Sequence, residues 1–148
     1  MAHDFKLSVN AIVVKDDKIL LVKRKDRDLW RIPGGELSLG ETVDEAVVAF
    51  IKNKLGLDIN IKRIVGLYSK PIQNELVILF AVTLQKPSQQ LKPTDNYTAA
   101  DYFDLKTLPD NLPDKNYERI NDFKEEFEDV VIRTQMSAPS SLKFPSLK

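Results

Sequence analysis

Two glutamates beside a glycine pair are the side chains of this sequence best placed to do chemistry. Glu36 and Glu41 follow Gly34-Gly35 and precede a helical pattern that starts at Thr42. Carboxylates in such a turn can bind a hard cation such as Mg²⁺ or act on a water molecule, which makes Glu41 a candidate residual catalytic residue. The alternative, which we favour, is that Glu41 is simply stabilised by the helix dipole, because one or two scattered carboxylates rarely hold Mg²⁺ tightly.

A helix is predicted to position the residues that follow this turn. Residues 42–45, Thr-Val-Asp-Glu, fit a capping box, so Glu45 is better explained as a cap than as a metal ligand, while Asp44 could assist a residual metal site. Gly56 is a typical residue to follow a helix C-terminus. Successive residues of a helix are rotated by about 100°, so the side chains of this predicted helix form two separate stripes along its surface. The core stripe carries Val47, Ile51 and Leu55, and the stripe facing the glycine turn carries Phe50, Asn53 and Lys54.

Short strands surround this helix along the chain. Apolar patterns predict strands near residues 5–14, 19–22, 29–32, 59–68, 75–84 and 100–105, with a hairpin turn at 15–18. Apolar residues at helical spacing predict an amphipathic helix over 117–133. We expect one α/β domain over residues 1–133. Residues 134–148 form a tail whose serine and proline content is typical of flexible linkers.

Residues 30–57 resemble the Nudix box of the Nudix (MutT-like) hydrolases. That motif is a glycine, five residues, a glutamate, seven residues, and then Arg-Glu-apolar-any-Glu-Glu-any-Gly-apolar. Gly35, Glu41, Ile51 and Gly56-Leu57 match it, and residues 101–109 look like the late strand and turn of the family. The resemblance covers roughly residues 5–133. It implies a Nudix fold, with a mixed β-sheet sandwiched between helices, and hydrolysis of nucleoside diphosphates linked to another group.

The metal-binding part of the motif is degenerate. Ala49-Phe50 stands where the family has Arg-Glu, and Asn53-Lys54 where it has Glu-Glu. Carboxylates at helix positions i, i+3 and i+4 converge on one face and can hold Mg²⁺; a phenyl ring, an amide and an ammonium cannot. No metal is therefore expected at Phe50, Asn53 and Lys54. The sequence predicts a pseudoenzyme, inactive or weakly active, that binds a small phosphorylated or nucleotide-like ligand.

The predicted ligand cleft retains several groups with two interpretations each. Lys54 would bind an anion, or is a cation favoured by the last helical turn. Phe50 would stack on a base, or fills the space left by the metal. Trp30 and Arg31 are candidates for stacking and phosphate contact, although a single tryptophan on a strand is more often core. The complete predicted cleft is Trp30, Arg31, Gly34, Gly35, Glu36, Phe50, Asn53 and Lys54.

Two alternatives remain open at the level of the sequence. The first is an active Nudix hydrolase whose Mg²⁺ is held by a displaced site of Glu36, Glu41 and a loop aspartate, Asp95 or Asp101. The second is a protein-interaction module acting through the helix 117–133 or the tail.

Composition restricts the classes of partner. The 148 residues include 22 basic and 22 acidic side chains and no cysteine, which excludes disulfides and zinc-thiolate sites and disfavours nucleic-acid or membrane binding. No stretch has signal-peptide or membrane-span length, so we expect a cytoplasmic protein. The apolar strand 76–82 is buried within the domain or partly at a homodimer interface.

Overall fold

The computed structural model describes residues 4–136 of the chain. Its elements are β1 (Lys6–Lys15), β2 (Lys18–Arg24), β3 (Trp30–Arg31), β4 (Gly34–Glu36), α1 (Val43–Leu55), β5 (Ile59–Lys70), β6 (Glu75–Leu84), β7 (Tyr97–Asp104), α2 (Asp114–Glu125) and β8 (Val131–Thr134). A single 3₁₀ turn at Pro71–Gln73 joins β5 to β6.

These strands form one mixed sheet between the two helices, as the sequence predicts. The strand order is β3-β2-β1-β6-β5-β8, and β4 and β7 pair with β1 and β2 respectively. The β1–β6 and β5–β8 pairs are parallel, whereas β1–β2 and β5–β6 are antiparallel. Strand β6 lies between β1 and β5 and is largely buried, so the apolar run 76–82 is covered within the domain.

Alternation along β1 separates two hydrophobic layers. Successive residues of a strand point to opposite faces of the sheet. Val9, Ala11 and Val13 therefore pack with the buried face of α1, while Ile12 packs with Ile120 of α2 on the other face.

The predicted hairpin and the predicted caps of α1 are confirmed. Asp16 and Asp17 both have positive φ, 51° and 63°, as a tight two-residue hairpin requires. The Thr42 hydroxyl accepts from the Glu45 amide, and the Glu45 carboxylate accepts from the Thr42 amide, each at 3.3 Å. Gly56 ends the helix in the left-handed conformation.

The predicted helix over 117–133 is wrong in its second half. Helix α2 ends at Glu125, the chain turns at Glu126 with φ 51°, and residues 131–134 form β8 along the edge of β5. The β-branched run Val130-Val131-Ile132 favours a strand, and the free edge of β5 supplies the backbone partners. A second difference is that Gly34–Glu36 forms a strand on β1 and is not only a turn.

The end of the predicted domain falls within β8. Strand β8 runs to Thr134, and Gln135 beyond it is buried. Residues 137–148 of the predicted tail lie outside the described residues. Across 4–136, neither helix is long and apolar enough to cross a bilayer.

Candidate functional site

A cleft of about 690 Å³ opens between the end of α1 and the first turns of α2. Lys6, Ser8 and Asn10 of β1 lie along it, because alternate residues of a strand share a face. Gly34 and Gly35 of β4 also line the cleft. A Cβ on Gly34 would lie 2.2 Å from the Val9 carbonyl oxygen, so only glycine allows β4 to approach β1 this closely. A cleft of this volume suits a small molecule.

The cleft is strongly cationic, although the chain as a whole has no net charge. Cationic side chains outnumber carboxylates eight to three among its lining residues. Clustered charge of one sign in a concave, partly dry site attracts ligands of the opposite sign. The cations are Lys6, Arg24, Lys25, Arg31, Lys54, Lys70, Lys115 and Arg119, and the carboxylates are Asp26, Glu36 and Glu75.

On the α1 wall, an aromatic ring takes the place nearest the glycines. A Cβ on Gly35 would lie 2.0 Å from Cε2 of Phe50, so the ring rests directly on the glycine backbone. The ammonium nitrogen of Lys54 lies 6.0 Å from the centre of the same ring. The core stripe behind this wall, Val47, Ile51 and Leu55, is buried as predicted.

The donors on this wall do not fit a Mg²⁺ site. A smaller depression beside the cleft brings Glu36 and Glu41 together with Asn53 and Lys54, so a cation there would meet an ammonium group. Glu41 also accepts a hydrogen bond from the Ser38 amide at 2.8 Å. Within residues 4–136 no group of three or more His, Cys, Asp or Glu side chains is placed to share a metal ion.

On the α2 wall, two cations are buried. Lys115 and Arg119 are only 5% and 4% exposed. Burial lowers the pKa of Lys115 to about 8, helped by the positive charges of Lys70 and Arg119. Burial also lowers the pKa of Arg119 to about 10. Asn116, between them in sequence, accepts from the Ile32 amide at 2.9 Å and fixes α2 against the chain that leads to the glycines.

At the outer end of the cleft, Arg31 lies near Arg24 and Tyr97. Burial, followed by the positive charges of Arg24 and Arg27, lowers the pKa of Arg31. Burial raises the pKa of the Tyr97 hydroxyl, although Arg24 and Arg31 oppose that shift. Arg24 is paired with Asp26 at 2.8 Å, whereas neither Arg31 nor Lys25 forms an ion pair within the described chain.

The structure brings most of the sequence-predicted site residues together. Trp30 does not line the cleft: its ring packs edge-on against Phe103, with centroids 4.7 Å apart, and Lys23 lies over its face at 5.0 Å. This placement matches the core interpretation of the tryptophan. Asn53 and Glu41 line the smaller depression. The residues that line the cleft itself are Arg31, Gly34, Gly35, Glu36, Phe50 and Lys54.

Sequence reasoning missed the α2 wall and the sheet floor. Lys115 precedes the predicted helix 117–133, and Arg119 looks like part of the charged face of that helix. Their spacing of four residues would have shown a shared face only if the helix had been predicted to begin earlier. The missed lining residues with polar side chains include Ser8, Asn10, Lys70, Glu75, Asn116 and Tyr97.

The model of the NUDIX domain family matches residues 4–127. The chain is 40% identical over 108 residues to an ADP-ribose pyrophosphatase of Methanocaldococcus jannaschii, covering 70% of this chain and 64% of that protein. It is 27% identical over 95 residues to a MutT-like protein of Streptomyces ambofaciens, covering 64% of this chain and 60% of that one. The chain thus spans less than two thirds of the length of both relatives.

Two solved structures show the same fold. A Nudix hydrolase from Nitrosomonas europaea superposes with a TM-score of 0.81 at 16% identity, covering 93% of this chain and 82% of that one. An ADP-ribose pyrophosphatase from Streptococcus suis superposes with a TM-score of 0.70 at 25% identity, covering 89% of this chain and 100% of that one.

Proposed function

Because this chain belongs to the Nudix family, we propose that its cleft binds a small phosphorylated, nucleotide-like ligand without a divalent metal and hydrolyses it weakly or not at all. The observation that carries the proposal is that the cleft has cationic and neutral side chains where the family motif has carboxylates. The helix positions that would present carboxylates carry Phe50, Asn53 and Lys54, and eight cations line the cleft.

The first support is the chemistry of the α1 wall. Mg²⁺ requires oxygen ligands, usually including one or two carboxylates, and contributes several kcal/mol to charge stabilisation in diphosphate hydrolysis. Lys54 opposes a cation in the same place. The Phe50 ring packs directly against Gly35 and offers no oxygen ligand.

The second support is the charge of the other walls. A diphosphate in an ordinary metal-dependent site has its charge neutralised by the ion, whereas here lysine and arginine side chains are present to do so directly. Arginine and lysine both bind phosphate well, arginine through a planar fork of N–H donors. The volume, about 690 Å³, is in the usual range for a site that encloses a small organic ligand.

The relatives indicate the class of ligand. Two of the similar proteins are named ADP-ribose pyrophosphatases, so ADP-ribose and related nucleoside diphosphates are the first ligands to test. Absence of hydrolysis would separate this chain from the activity that those names describe.

The binding part of the proposal is tested by calorimetry with EDTA present. ADP-ribose, ADP, nucleotide sugars and dinucleoside polyphosphates are titrated into the wild-type protein. We expect at least one to bind with EDTA present, because the cleft cations need no metal bridge. A panel in which nothing binds would overturn the proposed function.

The silent-enzyme part is tested by repairing the motif. The wild type and a variant with Ala49→Arg, Phe50→Glu, Asn53→Glu and Lys54→Glu are assayed with Mg²⁺ and with Mn²⁺ on the same panel. We expect turnover only in the repaired variant, because it regains the carboxylate stripe. Its matched control adds Glu41→Gln and should lose that turnover again. Turnover by the wild type that Glu41→Gln abolishes would show instead that the native site holds a metal.

The displaced-site alternative is not favoured by the geometry. Glu36 and Glu41 share a depression, but no aspartate lines it in the described part of the chain. Asp101 lies on β7, exposed and bonded to its neighbouring amide. The protein-interaction alternative relied on a helix over residues 117–133. That helix ends at Glu125, so part of the proposed interaction surface is not helical.

A further inference from the structure

The α2 wall presents two buried cations that have only neutral hydrogen-bond partners. Lys115 and Arg119 lie four residues apart and face the cleft. The Lys115 ammonium donates to the Gln73 side-chain oxygen at 3.1 Å. Arg119 donates through Nε and Nη2 to the Gln135 side-chain oxygen, at 3.2 and 2.8 Å. The side-chain oxygen of Asn10, in the amide orientation that satisfies both of its polar atoms, accepts from Arg119 Nη1 at 3.0 Å. Each cation still has N–H donors that none of these bonds uses.

The carboxylates that act on Lys115, Asp114 and Glu75, offset the effect of burial on its pKa only in part. Glu75 accepts from Lys70 at 2.8 Å and from the hydroxyl of Ser8. Among residues 4–136, neither Lys115 nor Arg119 forms an ion pair. Burying an unpaired charge costs free energy, and the same burial lowers the pKa of both groups. An anion bound in the cleft would offset this free-energy cost.

We propose that Lys115 and Arg119, with Lys70 beside them, form a metal-independent binding site for the phosphate group of the cleft ligand. This inference rests on the proposed function and assigns the phosphate to the α2 wall, opposite the degenerate helix face. Lysine supplies a point charge and arginine a fork of donors, which together suit the several oxygens of a phosphate.

The number of cations distinguishes a phosphate from a carboxylate ligand. Lys6, Lys70, Lys115 and Arg119 lie at this end of the cleft with Glu75 as the carboxylate. A singly charged carboxylate would leave an excess of positive charge, whereas a phosphomonoester or diphosphate balances it more completely. Lys54, on the other wall, offers one cation with exposed carboxylates nearby.

Calorimetry on the full chain with EDTA tests the assignment. The probes are inorganic phosphate, pyrophosphate, AMP and ADP, and the variants are Lys115→Met, Arg119→Lys and Lys54→Gln. The matched control is Lys124→Met, an exposed lysine on the same helix outside the cleft. Circular dichroism melting of each variant establishes that it is folded. If Arg119→Lys does not fold, Lys115→Met decides the test by itself.

We expect Lys115→Met and Arg119→Lys each to weaken pyrophosphate and ADP binding about tenfold, the loss of one charge-assisted hydrogen bond. Lys124→Met should bind as the wild type does. Tighter binding of AMP than of inorganic phosphate would assign the site to an organic phosphate, and equal binding to a free phosphate ion.

Two results overturn the assignment in different ways. If Lys54→Gln loses binding while the two α2 variants keep wild-type affinity, the phosphate sits on the α1 wall and the proposed function stands. If the wild type binds neither these probes nor the wider nucleotide panel, the proposed function fails and the phosphate site fails with it.

Discussion

At the scale of single residues, the protonation state of Lys115 should make binding of the proposed ligand depend on pH. Its pKa is lowered to about 8 mainly by burial, then by Lys70 on β5 and Arg119 on its own helix, while Asp114 and Glu75 raise it. The side chain is therefore positively charged below about pH 8 and increasingly neutral above it. A bound phosphate would favour the charged form and raise this pKa again.

Pyrophosphate affinity should consequently decrease as the pH is raised from about 7 to 9. The measurement is the dissociation constant with EDTA across this range, for the wild type and for Lys115→Met. The probe changes its own ionisation in both, so the difference between the two proteins isolates Lys115. Parallel pH profiles would contradict a role for this lysine in anion binding.

The same lowered pKa destabilises the unliganded fold. The folded state binds fewer protons than the unfolded state between the lowered pKa, about 8, and the ordinary value of 10.5, so stability rises with pH across that window. Below about pH 8 the penalty is complete. Lys115→Met should therefore have a higher melting temperature than the wild type at pH 7 without anion, and this gain should shrink towards pH 10.

At the scale of elements, the folding signals of α1 are separate from the three positions at which the family motif has carboxylates. The capping box at Thr42 and the left-handed Gly56 define both ends of the helix, and the buried stripe anchors it to the sheet. None of these features involves Phe50, Asn53 or Lys54. Substitutions at these three positions should therefore leave the helix in its place in the fold.

Thr42→Ala tests the cap. We expect a loss of about 1 kcal/mol in the free energy of unfolding, measured in urea, because the Glu45 amide loses its acceptor. The Thr42 hydroxyl, followed by backbone amides, also holds the pKa of Asp44 below its usual value, and an NMR titration should show that pKa rising in the variant. Thr107→Ala, at an exposed threonine in a loop, is the control; an equal loss there would mean that the cap contributes little.

At the scale of the whole molecule, one carboxylate joins α2 to the sheet on which the cleft is built. Asp122 is 2% exposed. It accepts from the Tyr68 hydroxyl of β5 at 2.8 Å and from Arg133 of β8 at 2.7 Å through both carboxylate oxygens. The contact holds β8 and the helix that carries Lys115 and Arg119 against the same strand.

Asp122→Ala should destabilise the protein by about 3 kcal/mol, because it leaves a buried tyrosine hydroxyl and an arginine without their acceptor. Urea unfolding of this variant is compared with Asp129→Ala, an exposed aspartate just before β8, which should change stability little. Arg133→Met in the Asp122→Ala background should cost less than in the wild type. Additive losses would show that the two residues do not act as a pair.

The sequence by itself determined the parts of this protein whose causes are local. The caps of α1 and the hairpin at Asp16-Asp17 depend on residues a few positions apart, so their patterns could be read directly. The same holds for the family resemblance and for the absence of carboxylates on the helix face, because both follow from fixed spacings in one segment.

Only the tertiary structure decided which charged side chains are buried and which surfaces face the cleft. Lys115 is buried through contacts that include Gln73, 42 positions away in sequence, and Arg119 through Gln135 after β8. Trp30 turned to the core because Phe103 of a distant strand lies beside it, and residues 131–134 became a strand because β5 offered an open edge. Burial and pairing depend on neighbours brought together by folding, so no local pattern records them.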